Sequence, residues 1–178
     1  KNKFKIIHVS NFGNRLFNRL YFISIAKKLS NGFIRNGHDV VNLSDRDTIK
    51  FNRYISAKSG VDYLNTMLFE TVKNYSPDLL VLGHSDNLNL ETLEKIKKFK
   101  KNIKIAQWFE DNLHASGPDP ILNQKRLLKY SPFVDNNFIT TDPKVLKFAK
   151  NKGNFHYLPI PVDKNIEKLD IYKNKNNI

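Results

Sequence analysis

Ser76-Pro77-Asp78-Leu79-Leu80-Val81-Leu82-Gly83-His84-Ser85-Asp86 holds the argument for the fold in eleven residues. A Ser-Pro-Asp turn ends what precedes it, four apolar residues follow with no polar alternation, and a polar Gly-His-Ser-Asp stretch leaves them. Such a short, continuously apolar run fits a strand covered on both faces. Comparable runs recur at Phe4 to Val9, Val40 to Leu43, Ile103 to Phe109, Phe138 to Thr141 and Phe155 to Leu158. Longer helical patterns separate them near residues 16–35, 58–75, 90–100, 121–130 and 143–150. Strict alternation of strand and helix requires parallel strands joined by right-handed crossovers.

The predicted architecture is therefore α/β: a doubly wound parallel sheet in a Rossmann-like, three-layer α/β/α arrangement. Its first helix carries Phe22, Ile25, Ala26, Leu29 and Phe33 at the spacing of one buried face. Gly37 supplies a left-handed cap before the second strand. Past Leu158 the chain changes to Pro159-Ile160-Pro161-Val162-Asp163 and then to a lysine- and asparagine-rich end that reads as a linker or a frayed terminus.

With 178 residues and 40% apolar content, the chain has material for one good core. It contains no cysteine, which removes disulfides, thiolate metal sites and cysteine nucleophiles and makes a reducing, cytoplasmic setting the natural one. No basic-then-apolar leader and no apolar run of about 20 residues are visible, so the expectation is a soluble chain or one attached to a surface. Formal net charge is +13, yet only six of the thirty basic residues are arginine and asparagine occurs 23 times. Two readings of this lysine excess stand: the imprint of an AT-rich coding sequence, and a basic face drawn to anionic glycans or to the inner face of an anionic membrane. Neither the low arginine share nor any helix-turn-helix, RNA-recognition or OB pattern supports specific nucleic-acid binding.

In open parallel sheets, ligands bind outside the carboxyl ends of the strands. Turns entering the strands are tight, whereas the segments leaving them carry Ser10-Asn11-Phe12-Gly13-Asn14-Arg15, Ser44-Asp45-Arg46-Asp47, Gly83-His84-Ser85-Asp86 and Trp108 through His114. Asn11, Gly13, Asn14 and Arg15 are candidates for substrate binding at the first helix's N-terminal end. The glycine is equally explained by the turn alone, and neither the dinucleotide nor the P-loop glycine pattern is present. Asp45-Arg46-Asp47 has the Asp-x-Asp form of a metal–nucleotide motif, but a helix cap explains it better and no metal is expected. His84 beside Asp86 suits a general base with its orienting partner, Asp111 is a third catalytic candidate, and Glu110 and His114 are candidates for holding hydroxyl groups. Trp108 reads either as core packing or as a stacking face for a sugar.

Three segments together resemble one family: Lys104-Ile105-Ala106-Gln107-Trp108-Phe109-Glu110-Asp111, Asp135-Asn136-Asn137-Phe138-Ile139-Thr140-Thr141-Asp142 and Tyr157-Leu158-Pro159-Ile160-Pro161-Val162-Asp163. They are similar to the N-terminal, acceptor-side domain of GT-B glycosyltransferases, with bacterial group 1 and spore-maturation-type enzymes the nearest likeness. The resemblance implies a Rossmann-like domain over residues 1–161 and a hinge over 162–178, leading toward a C-terminal nucleotide-sugar-binding domain. It implies a sugar acceptor that is a glycan, a lipid-linked sugar or a protein, a nucleotide-sugar as co-substrate, and no tightly bound cofactor. A chain with only this half is expected to be inactive in transfer. The alternative is a non-catalytic Rossmann-like module that binds a ligand or partner.

Overall fold

A computed structural model describes residues 2–14, 24–54, 56–165 and 167. Six strands form one sheet: β1 (Lys5–Ser10), β2 (Asp39–Ser44), β3 (Leu79–Leu82), β4 (Lys104–Phe109), β5 (Asn136–Ile139) and β6 (Phe155–Tyr157). Their order is β2-β1-β3-β4-β5-β6 and every pairing is parallel, with Ile7 opposite both Val41 and Leu80. The helices are α1 (Ile25–Arg35), α2 (Asp45–Phe51), α3 (Ala57–Tyr75), α4 (Leu90–Phe99) and α5 (Pro120–Leu128). This is the doubly wound, Rossmann-like sheet that the apolar runs predict.

Strand alternation divides the interior into two unequal layers. Ile7 and Val9 of β1, Leu80 and Leu82 of β3 and Ile105 of β4 face Leu64, Leu68 and Val72 of α3 and Leu93 and Ile96 of α4, all of them buried. A smaller cluster under α5 joins Phe109, Leu113, Leu127 and Ile139. On the other face, α1 packs over β1, and its most enclosed residues are Ala26 and the polar Ser30, which is fully buried. Of the expected apolar face Ala26 is buried while Ile25, Leu29 and Phe33 are half-buried, and Ser30 is enclosed because it meets a histidine in β1. Phe22 lies outside the described residues.

Two elements depart from expectation. Asp45-Arg46-Asp47, which reads as a helix cap or turn with no helix placed after it, opens a short helix over Asp45–Phe51, since Asp45 and Asp47 fall in its first turn where carboxylates offset the free N–H groups. The helix expected over 143–150 is instead two single 3₁₀ turns, Pro143–Val145 and Lys147–Ala149, separated at Leu146 by backbone angles of φ −91 and ψ 77 that no helix continues through. Gly37 at φ 89 and Ser76 at φ 50 take the left-handed conformations that end α1 and α3.

After β6 the chain does not trail from the far edge. It crosses back to α1, where Asp163, fully enclosed, accepts hydrogen bonds from Asn31 (2.7 Å) and Arg35 (2.6 Å), and Glu167 pairs with Lys28. The Asn31 hydrogen bond leads the interactions that hold the Asp163 carboxyl down at about 2.

Candidate functional site

Chain direction reverses between β1, which leads left to β2, and β3, which leads right to β4. Loops leaving neighbouring strands diverge at such a switch point and leave a crevice. A cavity of about 270 Å³ lies there, bordered by His8, Ser10 and Asn11 of β1 and its loop, Gly83 and His84 after β3, and Trp108, Glu110 and Asp111 at the end of β4. Ser24 and the first turn of α1 close one side and Arg46 of α2 stands at another. Gly83 is required by the packing, because a Cβ there would strike the Ser10 hydroxyl and stand 3.5 Å from His8 Nε2.

His8 is fully buried, and burial lowers its pKa to about 3, so it is neutral. Its tautomer follows from its neighbours. The Ser30 hydroxyl donates its proton to Asn42 Oδ1 (2.7 Å) and so must accept from His8 Nδ1–H (2.8 Å). His8 Nε2 is then a lone-pair acceptor, and it has no hydrogen-bond partner. Trp108 Nε1 and Glu110 Oε2 are buried without partners as well. One cavity is thus lined by residues bearing two unused acceptors and one unused donor, although buried polar groups are ordinarily paired.

His84 sits at the centre of the adjoining charge cluster. Arg126 of α5 donates from Nη2 to His84 Nδ1 (2.8 Å), since a guanidinium can only donate, and His84 Nε2–H therefore points at Glu110 Oε1 (2.9 Å). The hydrogen bond to Glu110 raises the His84 pKa, and burial opposes it. The same guanidinium grips Asp86 through Nη2 (2.8 Å) and Nε (3.2 Å), and Asp111 through Nη1 (2.7 Å), while lying 5.5 Å over the Phe109 ring. The loop carrying His84 is itself held by Asn65 of α3, which accepts from Asn89 N–H (2.9 Å), and by the Tyr130 hydroxyl donating to Ser85 O (2.7 Å).

Of the residues expected from sequence, His84, Glu110, Asp111 and Asn11 meet at the cavity. Asp86 joins the cluster through Arg126, not through a direct bond to His84, and is not part of the cavity wall. Gly13, at φ 68, and Asn14 shape the loop: Asn14 N–H bonds Asp47 Oδ2 (2.9 Å). His114 lies on the exposed loop that follows, bonded to Ser116 Oγ (2.7 Å) and away from the cavity. Arg15 lies outside the described residues. Asp47 is occupied by Ser44 and Asn14, and Asp45 by Arg46 N–H (2.6 Å), burial raising its pKa to about 6. Among the described residues no group of three or more His, Asp or Glu side chains is disposed around a cation position, and no helix is long and apolar enough to cross a membrane.

Among solved structures, the chain resembles an alpha-glucosyltransferase in complex with UDP and a 13-mer DNA containing a central A:G mismatch, at a TM-score of 0.50 and 16% identity. The fold is glycosyltransferase-like. The superposition takes in 93% of this chain and 42% of that one, so the chain spans well under half the length of its glycosyltransferase neighbour. No family model matches the chain, and no curated protein does.

Two residues of the site leave no mark in the sequence. His8 is hidden in an apolar strand run, where a lone histidine looks like packing. Arg126 sits in the last turn of α5, where a cation is expected on dipole grounds alone.

Proposed function

We propose that this chain is the acceptor-side half of a two-domain glycosyltransferase, and that the cavity seats the acceptor sugar. The reading is carried by one cavity whose wall includes His8, Trp108 and Glu110, the residues that bear the buried, unpaired Nε2, Nε1 and Oε2. A ring of sugar hydroxyls, each both donor and acceptor, is the chemistry that satisfies such a mixed set, and the indole supplies an apolar face for the ring.

In this reading Glu110 is the base. The acceptor hydroxyl gives its proton to Glu110 Oε2 as its oxygen attacks the anomeric carbon of a nucleotide-sugar, whose bond to phosphate breaks and releases the nucleotide. His84 holds the other Glu110 oxygen, Arg126 fixes the His84 tautomer, and Asp86 and Asp111 neutralise Arg126. All four position the base and do not touch the reacting atoms. The nucleotide-sugar belongs to a second, C-terminal domain, so this chain binds acceptor without transferring to it.

The test is calorimetric titration of the chain with methyl glycosides, with Glu110→Gln and His8→Leu in parallel. Saturable binding, weakened tenfold or more by either change, is expected. No binding across a broad panel of glycosides defeats the proposal, and release of nucleotide by this chain alone defeats the division between two domains. Because the solved neighbour holds DNA, duplex DNA is included at about 50 and 200 mM salt; the expected outcome is weak, salt-sensitive and sequence-independent binding.

A further inference from the structure

The sheet face that carries α1 is covered by that helix over β1, but beyond it Leu79 and Val81 of β3, Ala106 and Trp108 of β4 and Phe138 of β5 line an open groove of about 260 Å³. Leu29 forms one bank and Leu158, on the returning segment, contributes to the lining. Its surface exposes only apolar atoms. The groove and the polar cavity share two residues, Leu29 and Trp108. Gln107, whose Oε1 is buried without a partner, also borders the groove but presents no polar surface to it, so Trp108 stands between a cavity with a polar wall and a groove whose open surface is apolar.

We propose that the acceptor is a lipid-linked sugar whose hydrocarbon chain lies in this groove while its sugar occupies the cavity, an inference that rests on the cavity being a sugar site. A peptide in the groove would leave its backbone N–H and C=O groups unpaired, whereas a hydrocarbon asks nothing of an apolar wall. The adjacency of the two compartments fits a molecule with a hydroxyl-rich head and an apolar tail. The charge of +13, mostly lysine, favours approach to the anionic membranes in which such acceptors reside.

The experiment titrates the chain with methyl, butyl, hexyl and octyl glucosides and galactosides below their micelle concentrations, reading the fluorescence of Trp108, the only tryptophan. Affinity is expected to rise about threefold to fourfold per methylene until the groove is full. Ala106→Phe, which fills the groove, should flatten that dependence and leave methyl glycoside affinity within twofold. Leu158→Asp should weaken only the long-chain members, and serves if Ala106→Phe does not fold. Methyl glycosides that bind with no dependence on chain length overturn the lipid proposal and leave the sugar cavity standing. Equal affinity for the glycosides and the bare alcohols of the same length, with no binding of the methyl glycosides, overturns the sugar site and the lipid-linked acceptor with it.

Discussion

Arg126 closes a circuit in which one guanidinium serves two carboxylates and one imidazole. Its charge and its Nη2–H both resist a proton on His84 Nδ1, so Arg126→Met should move the His84 titration to higher pH, as read from the imidazole proton resonances. An unchanged or lower midpoint would defeat the argument. Loss of the fork should also destabilise the chain by about 1–2 kcal/mol, a charged hydrogen-bond value discounted for partial exposure. Because the folded pKa of His84 is raised, its contribution to stability is present below the unfolded value and fades as pH rises through the folded one. His8 behaves oppositely. With its folded pKa near 3, the unfolded chain binds the extra proton below about 6.5, and stability falls on acidification by up to about 1.4 kcal/mol per pH unit. Asp45, raised to about 6, partly offsets this, since the native state takes its proton first. Denaturation between pH 6.5 and 4 should therefore show a smaller acid loss in His8→Leu than in the parent, and an identical slope would mean that His8 is not the buried titrating group. At this scale the loop residues were legible, because polar side chains just after apolar strands have few other reasons to be there. His8 and Arg126 were not: one acts through an unpaired lone pair and the other through partners 15 to 42 positions away, neither of which leaves a local pattern.

Each element had its own degree of visibility. Strands were read to within two residues at each end because both of their faces are covered, and continuous apolar character survives any register. The short α2 shows in the sequence only as a cap or turn at its two aspartates, as seven residues give too little length for a helical period. Its place is fixed by α3, which approaches so closely at Gly60 that a Cβ would collide with the Ile49 carbonyl oxygen and stand 3.0 Å from the carbonyl carbon. Gly60→Ala should therefore cost about 1–3 kcal/mol in chemical denaturation despite alanine's better helix propensity. A stabilised variant would show that α2 yields freely. The lysine run from Lys95 to Lys104 also has structural partners: Lys97 bonds Asp135 Oδ2 (2.7 Å), Lys98 pairs with Glu94 (2.6 Å) and Lys100 bonds Ser76 Oγ (2.9 Å). Lys97 and Lys100 join α4 to its surroundings while Lys98 pairs within the helix, and the charge left for a membrane or glycan is correspondingly smaller than the sequence count suggests.

For the molecule as a whole, the sheet order places the cavity and the groove on either side of Trp108, and a single helix borders both. That helix is held by the segment returning from β6, a route that composition alone could not show because residues 162–178 read as a hinge. Asp163→Ala should release the segment: trypsin should cut sooner after the exposed Lys164, and amide exchange in α1 should quicken. Unaltered exchange in α1 would mean that the helix holds its place unaided. The attachment has a mechanical consequence. A tug on the chain at Glu167 is delivered to Lys28, one turn from the helix end that forms part of the cavity wall, so the returning segment and that wall are yoked together.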